Sequence, residues 1–260
     1  MNNSTEQYNG ESGNVLFLIL IAVALFAALS YAVTSSSRSG GGDANEETNL
    51  ISSSTVTQYP ASVRTSIIRM QVSKGVSVDE LEFNIPGNVA ANDGDFEDCG
   101  TYGGVQGANC VFHPDGGQAT FVPASADVMA SGAPANWIFS SMNEVENIGR
   151  TAGTADQADF NTAEVIAFLP GIRLGVCQRI NEELGITSAA ANGVPLETAD
   201  IDFTFANSMI NIDGTSAPAI GADGDDGTID GGADELSGQA FGCFQQPAGT
   251  YVYFHVIIEQ

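Results

Sequence analysis

Residues 11–33 read ESGNVLFLILIAVALFAALSYAV. From Val15 to Val33 this run of 19 positions holds no charge and no proline, and only Ser30 and Tyr31 interrupt it. At ~1.5 Å of rise per residue such a helix approaches ~30 Å, the depth of a bilayer's hydrocarbon core. A helix is the one single-segment way to cross lipid with its backbone hydrogen bonds closed. Tyr31 falls where an interfacial aromatic would lie. The competing reading is a removable signal peptide, which opens with basic residues; here no basic residue precedes Arg38, and LSYAVTSSS would be its cleavage region. A retained helix sets the expected fold. It is an α+β chain with a long N-terminal hydrophobic helix, then a globular domain built from an amphipathic helix and an antiparallel β-sheet.

The charge narrows the partners. The 260-residue chain carries 32 acidic and seven basic residues, a formal net charge of -25. Phosphates would be repelled by such a surface, so nucleic acid is excluded, and anionic lipid is disfavoured as a partner of the domain. Crowded carboxylates repel one another, and bound cations or high salt would relieve them.

Four cysteines, Cys99, Cys110, Cys177 and Cys243, allow three disulfide pairings. Cys99 and Cys110 flank the glycine-rich GTYGGVQGAN, which a local bridge could close. Cys177 and Cys243 would then tie a helix to a late strand. Free thiols are the alternative, and a metal site is poorly supported: there is no C-x-x-C, and the histidines are His113 and His255 alone. Disulfides favour the oxidising side of a membrane. With Arg38 just after the apolar run, that places the N-terminus inside and the acidic bulk outside.

The stretch SGNVLFLILIAVALFAALSYAV resembles the N-terminus of type IV pilin-like proteins, including the pseudopilins of type II secretion. The resemblance implies a short polar leader cut by a prepilin peptidase after Gly13, leaving Asn14 as a methylated N-terminus; Gly10 and Glu11 form an alternative cleavage point. It also implies an inner-membrane precursor whose apolar helix becomes the core of an extracellular filament, a fimbrium. Leu18 stands where the family carries a glutamate, which resembles its minor, tip-type members. Ala24, Ala27, Ala28 and Ala32 form a small-residue stripe suited to close helix approach. The same stripe is also ordinary anchor composition.

The organisation that follows is a leader over 1–13, a membrane or filament-core helix over 14–37, a Gly/Ser-rich hinge over 38–48, and an acidic extracytoplasmic α+β domain over 49–260. Gly40, Gly41 and Gly42 are expected to end the first helix. Apolar spacing from Val63 predicts an amphipathic helix that stops at Gly75, with Pro60 kinking it or starting its second half. Its cations, Arg64, Arg69 and Lys74, are candidates for ion pairs, with a solvated face as the alternative. Strands are expected in DELEFNIP, CVFH, ATFVP, DIDFTFANSMINID and the terminal AGTYVYFHVIIEQ, and a helix broken near Pro170 over TAEVIAFLPGIRLGVCQRINEELGI. Trp137 and His255 are expected to be structural.

The sharpest candidate metal site is DGTSAPAIGADGDDGTIDGGADE, where Asp223, Asp225, Asp226, Asp230 and Asp234 could offer oxygens to Ca2+. Gly227 and Thr228 break the hand-like loop pattern, so solvated loops are the alternative. NDGDFED, with Asp93, Asp95, Glu97 and Asp98, is a second acidic loop. No nucleophile elbow, zinc-protease, P-loop or dinucleotide motif occurs, and no catalytic residue is assigned. The expected function is that of a structural filament subunit that self-associates through its N-terminal helices. The alternative is a single-pass envelope protein whose acidic domain binds cations or protein.

Overall fold

The computed structural model describes residues 12–84, 101–140, 143–149, 164–198, 201 and 227–259. The chain divides into two units, Met1–Thr48 and Asn49–Gln260.

Helix α1 (Ser12–Lys74) is continuous. The expected hinge over 38–48 therefore lies in helix, and Gly40–Gly42 do not end it. Each glycine costs roughly 1 kcal/mol relative to alanine but keeps its N–H, so the hydrogen-bond ladder continues. In the helical SSSTVT run the Ser53, Ser54, Thr55 and Thr57 hydroxyls donate to carbonyls three or four residues back, so they are satisfied within the helix. Pro60 lies inside the helix and is buried. Gly75, at φ +70°, takes the left-handed conformation just past the helix and donates to the Gln71 carbonyl at 2.9 Å, a glycine C-cap.

The expected membrane helix is corrected. Among the described residues no helix is long and apolar enough to cross a membrane. Leu16, Leu18, Phe26 and Leu29, with Ala24, Ala27 and Ala28, are exposed. Gly13 and Asn14 lie in α1. Gly10, Glu11 and the Ala32 side chain lie outside the description.

The second unit is built on a four-stranded antiparallel sheet of β3 (Ile138–Ser140), β5 (Val165–Pro170), β7 (Phe241–Gln245) and β8 (Tyr251–Ile258), in the order β3-β5-β8-β7. Three short pieces accompany it: a hairpin of β1 (Thr101–Tyr102) and β2 (Val105–Gln106), and a parallel pair of β4 (Glu144–Val145) with β6 (Thr228–Ile229). The fold is thus α+β with both antiparallel and parallel pairing, rather than one antiparallel sheet behind an anchor.

Strand alternation sends successive side chains to opposite faces. Val165, Ala167, Leu169, Cys243, Tyr253 and Ile257 join one core with Val56, Val63, Ile67 and Met70 of α1 and Val176, Cys177 and Ile180 of α2 (Leu174–Leu184). Ile166, Phe168, Phe244, Val252, Phe254 and Val256 join the other with Val145, Ile186, Ile229 and Leu236. Gly242 sits opposite Phe254, where an added Cβ would stand 3.2 Å from the ring. Trp137 is core, as expected, tilted on Tyr59 at 5.1 Å and edge-on to Tyr253 at 6.0 Å.

Other local expectations change. DELEFNIP gives a 3-10 turn, Val78–Glu80, and a single bridge from Glu82 to Cys110 instead of a strand. CVFH forms a bridge residue at Cys110 followed by a turn, and ATFVP is irregular, with an isolated Ala124–Ala135 bridge just beyond it. VIAFLP is strand β5 rather than helix: it is short, opens with β-branched residues and is buried on both faces. DIDFTFANSMINID lies outside the described residues apart from Ile201.

Candidate functional site

Among the described residues, Cys177, Cys243, Tyr253 and His255 lie at the face of the sheet that meets the helices. Cys243 on β7 lies across from Tyr253 on β8, and His255 lies across from Phe241. Tyr253 Oη and His255 Nδ1 share a hydrogen bond of 2.7 Å, and the imidazole stacks on Phe241 at 5.2 Å and 13°. Burial, with the positive charge of Arg64 second, lowers the His255 pKa to about 4, so the ring is neutral near pH 7. Burial pushes the Tyr253 hydroxyl well above its usual value, with Cys243 adding to the shift. His255 thus holds the Tyr253 phenol as a neutral ring.

Helix α2 closes the same cluster. Cys177, Ile180 and Asn181 fall on its buried face. Asn181 grips the β7 backbone at both ends: its Nδ2 donates to the Cys243 carbonyl at 2.9 Å, and its Oδ1 accepts from the Cys243 N–H at 2.9 Å. That bracket places Cys177, one helical turn earlier, over the Cys243 side chain. In the structure Cys177 and Cys243 are buried thiols, with no bridge formed between them. Burial, then the neighbouring Cys177, raises the Cys243 pKa well above that of an ordinary thiol. Cys110 is disulfide-bonded, and Cys99 lies outside the described residues.

On the opposite face two buried carboxylates hold backbone N–H groups. Glu164 Oε2 accepts from Val145 at 3.1 Å. Burial raises its pKa to about 7, the Val145 hydrogen bond opposes that, and the charges of Glu144 and Glu259 add to it. Glu197 Oε2 accepts from Asp230 at 3.2 Å and Gly231 at 2.9 Å. Sequence reasoning missed Glu164, Glu197 and Asn181; the available signal was a polar residue within an otherwise buried stretch.

Of the candidate calcium residues, only Asp230 and Asp234 are described. Asp223, Asp225 and Asp226, and the NDGDFED loop, lie outside the described residues. The Asp230 carboxylate accepts from the Gly232 N–H, and Asp234 takes a positive φ of 58°. Among the described residues no group of three or more His, Cys, Asp and Glu side chains could hold a metal ion.

Three of the described cations donate to main-chain carbonyls. Arg69 donates to the Gly117 carbonyl, and Lys74 to those of Asp115 and Gly116. Arg173 donates to Met129 at 3.1 Å and Ala126 at 3.4 Å. Only Arg64, 3.6 Å from Glu259, and Arg179, 3.0 Å from Glu182 and Glu183, meet carboxylates.

No protein family, curated protein or solved structure matches the chain. With no membrane-crossing helix among the described residues, the pilin-like resemblance is corrected. The filament-subunit role, the single-pass anchor, self-association through N-terminal helices, prepilin-peptidase processing, the inner-membrane precursor and the extracellular filament are corrected with it.

Proposed function

We propose that this chain is a non-catalytic acidic module that binds a Lys/Arg-rich polypeptide. The observation that carries the reading is the use of its cations. Three of the five with described side chains, Arg69, Lys74 and Arg173, donate to main-chain carbonyls. They hold the fold together rather than pairing with carboxylates, so carboxylates keep their exposed charge on a chain whose formal net charge is -25. A field of one sign attracts an oppositely charged partner and steers its approach. The absence of the known catalytic motifs from the sequence supports a binding role, as does the structural use of His255, Glu164 and Glu197.

Titration of the full chain with oligolysine, oligoglutamate and a neutral Gly-Ser peptide tests this. Oligolysine should bind saturably at a fixed stoichiometry, and its affinity should fall at least tenfold between about 0.05 M and about 0.5 M salt as the Debye length shrinks. Equal affinity for the neutral peptide, or uptake that never saturates, would overturn the reading.

A further inference from the structure

We infer that Cys177 and Cys243 are a bridging site: a dithiol that a disulfide donor converts into a covalent clamp between α2 and β7. Both side chains are fully buried in one core, on elements that pack together. Cys177 lies one turn before Asn181 on the buried face of α2. Asn181 fixes the register of the two cysteines, because its paired hydrogen bonds, both 2.9 Å, lock the Cys243 peptide against the helix turn that follows Cys177. The two cysteines are thus held on the facing surfaces of α2 and β7.

The chemistry is thiol–disulfide exchange with a small-molecule disulfide such as oxidised glutathione. One cysteine thiolate attacks a donor sulfur, forms a mixed disulfide and releases the first donor thiolate. The second cysteine thiolate attacks the protein-bound sulfur of that mixed disulfide and releases the second. The two protons lost by the cysteines are taken up by the departing thiolates, so the protein is oxidised by two electrons and the donor becomes two thiols. Burial and the raised Cys243 pKa keep the thiolate scarce in the folded state. Bridging therefore proceeds during folding or local opening, and once formed the clamp is shielded from reductant.

The test is to refold the full chain in a glutathione redox buffer, unfold it, alkylate the remaining thiols and map peptides without reduction. The expected result is a cross-linked peptide containing Cys177 and Cys243, no alkyl label on either, and a Tm on the order of 5–10 °C above that of protein whose Cys177–Cys243 pair is reduced. In the Cys177→Ala/Cys243→Ala double variant the redox-dependent shift at this pair should vanish while the Cys110 bridge still forms. Full alkylation of Cys177 and Cys243 in the oxidised wild-type protein, or their appearance in bridges to other cysteines, would overturn the inference. The mapping uses wild-type protein, so its result holds even where the double variant fails to fold.

Discussion

The two faces of the β3-β5-β8-β7 sheet solve the burial of polar groups in opposite ways. Against the helices, polar side chains meet each other: Tyr253 bonds His255, and Cys243 meets Cys177. Against β4 and β6, carboxylates meet main-chain N–H groups: Glu164 holds Val145, and Glu197 holds Asp230 and Gly231. The first arrangement favours an unprotonated ring, the second a protonated Glu164. Burial drives both, but it acts against the charged form, which is cationic for histidine and anionic for glutamate. One sheet therefore carries two pH dependences of opposite sign.

The largest expected effect comes from the hydrocarbon on the second of these faces. Phe254 is fully buried on that face. Phe254→Ala should cost about 3–5 kcal/mol, through lost transfer energy and the cavity left behind, and urea unfolding at fixed pH would measure it. A loss under about 1 kcal/mol would mean that the face collapses into the space, contrary to its tight fit around Gly242.

A middle-sized effect separates the two pH dependences. His255 has its pKa lowered to about 4, so its contribution to stability is lost as pH falls from the ordinary histidine range through 4. Glu164 has its pKa raised to about 7, so the folded state binds the proton more tightly and stability is lost as pH rises from the ordinary carboxylate range through 7. Over the shared window near pH 5–6 the two slopes oppose one another. Glu164→Gln keeps an oxygen for the Val145 N–H and removes one slope. The variant should gain roughly 2–3 kcal/mol over wild type between pH 4 and pH 8. Parallel stability curves for variant and wild type would break the comparison.

The smallest effect lies at the edge where these groups come near each other. Arg64 and Glu259 are 3.6 Å apart with side chains 41% and 48% exposed, so Arg64→Ala should change stability by less than about 1 kcal/mol. The same substitution removes a positive charge that depresses the His255 pKa. The histidine titration, followed by NMR, should therefore move upward even where stability barely changes.

What the sequence revealed depended on length and periodicity. Strand β8 was legible because eight residues alternate between two apolar faces, and α2 because Cys177, Ile180 and Leu184 recur at helical spacing. Strand β5 was not, since a short apolar run such as VIAFLP suits a buried strand or a buried helix equally well. The continuous α1 was hidden by Gly40–Gly42, whose modest cost per residue looks locally like a break. At the candidate site, the sequence supplied a cysteine pair but not the Asn181 bracket that sets it in register. The partners of an amide are fixed by tertiary packing, which leaves no periodic trace.

Lys74 is the only lysine in the chain, and its amine rests on the carbonyls of Asp115 and Gly116. An added Cβ at Gly116 would run into the Cys110 carbonyl, so that turn has little latitude in how it presents those oxygens. The protein thereby carries a built-in gauge: the speed at which an acylating reagent modifies this one side chain reports how often the turn lifts off the helix end.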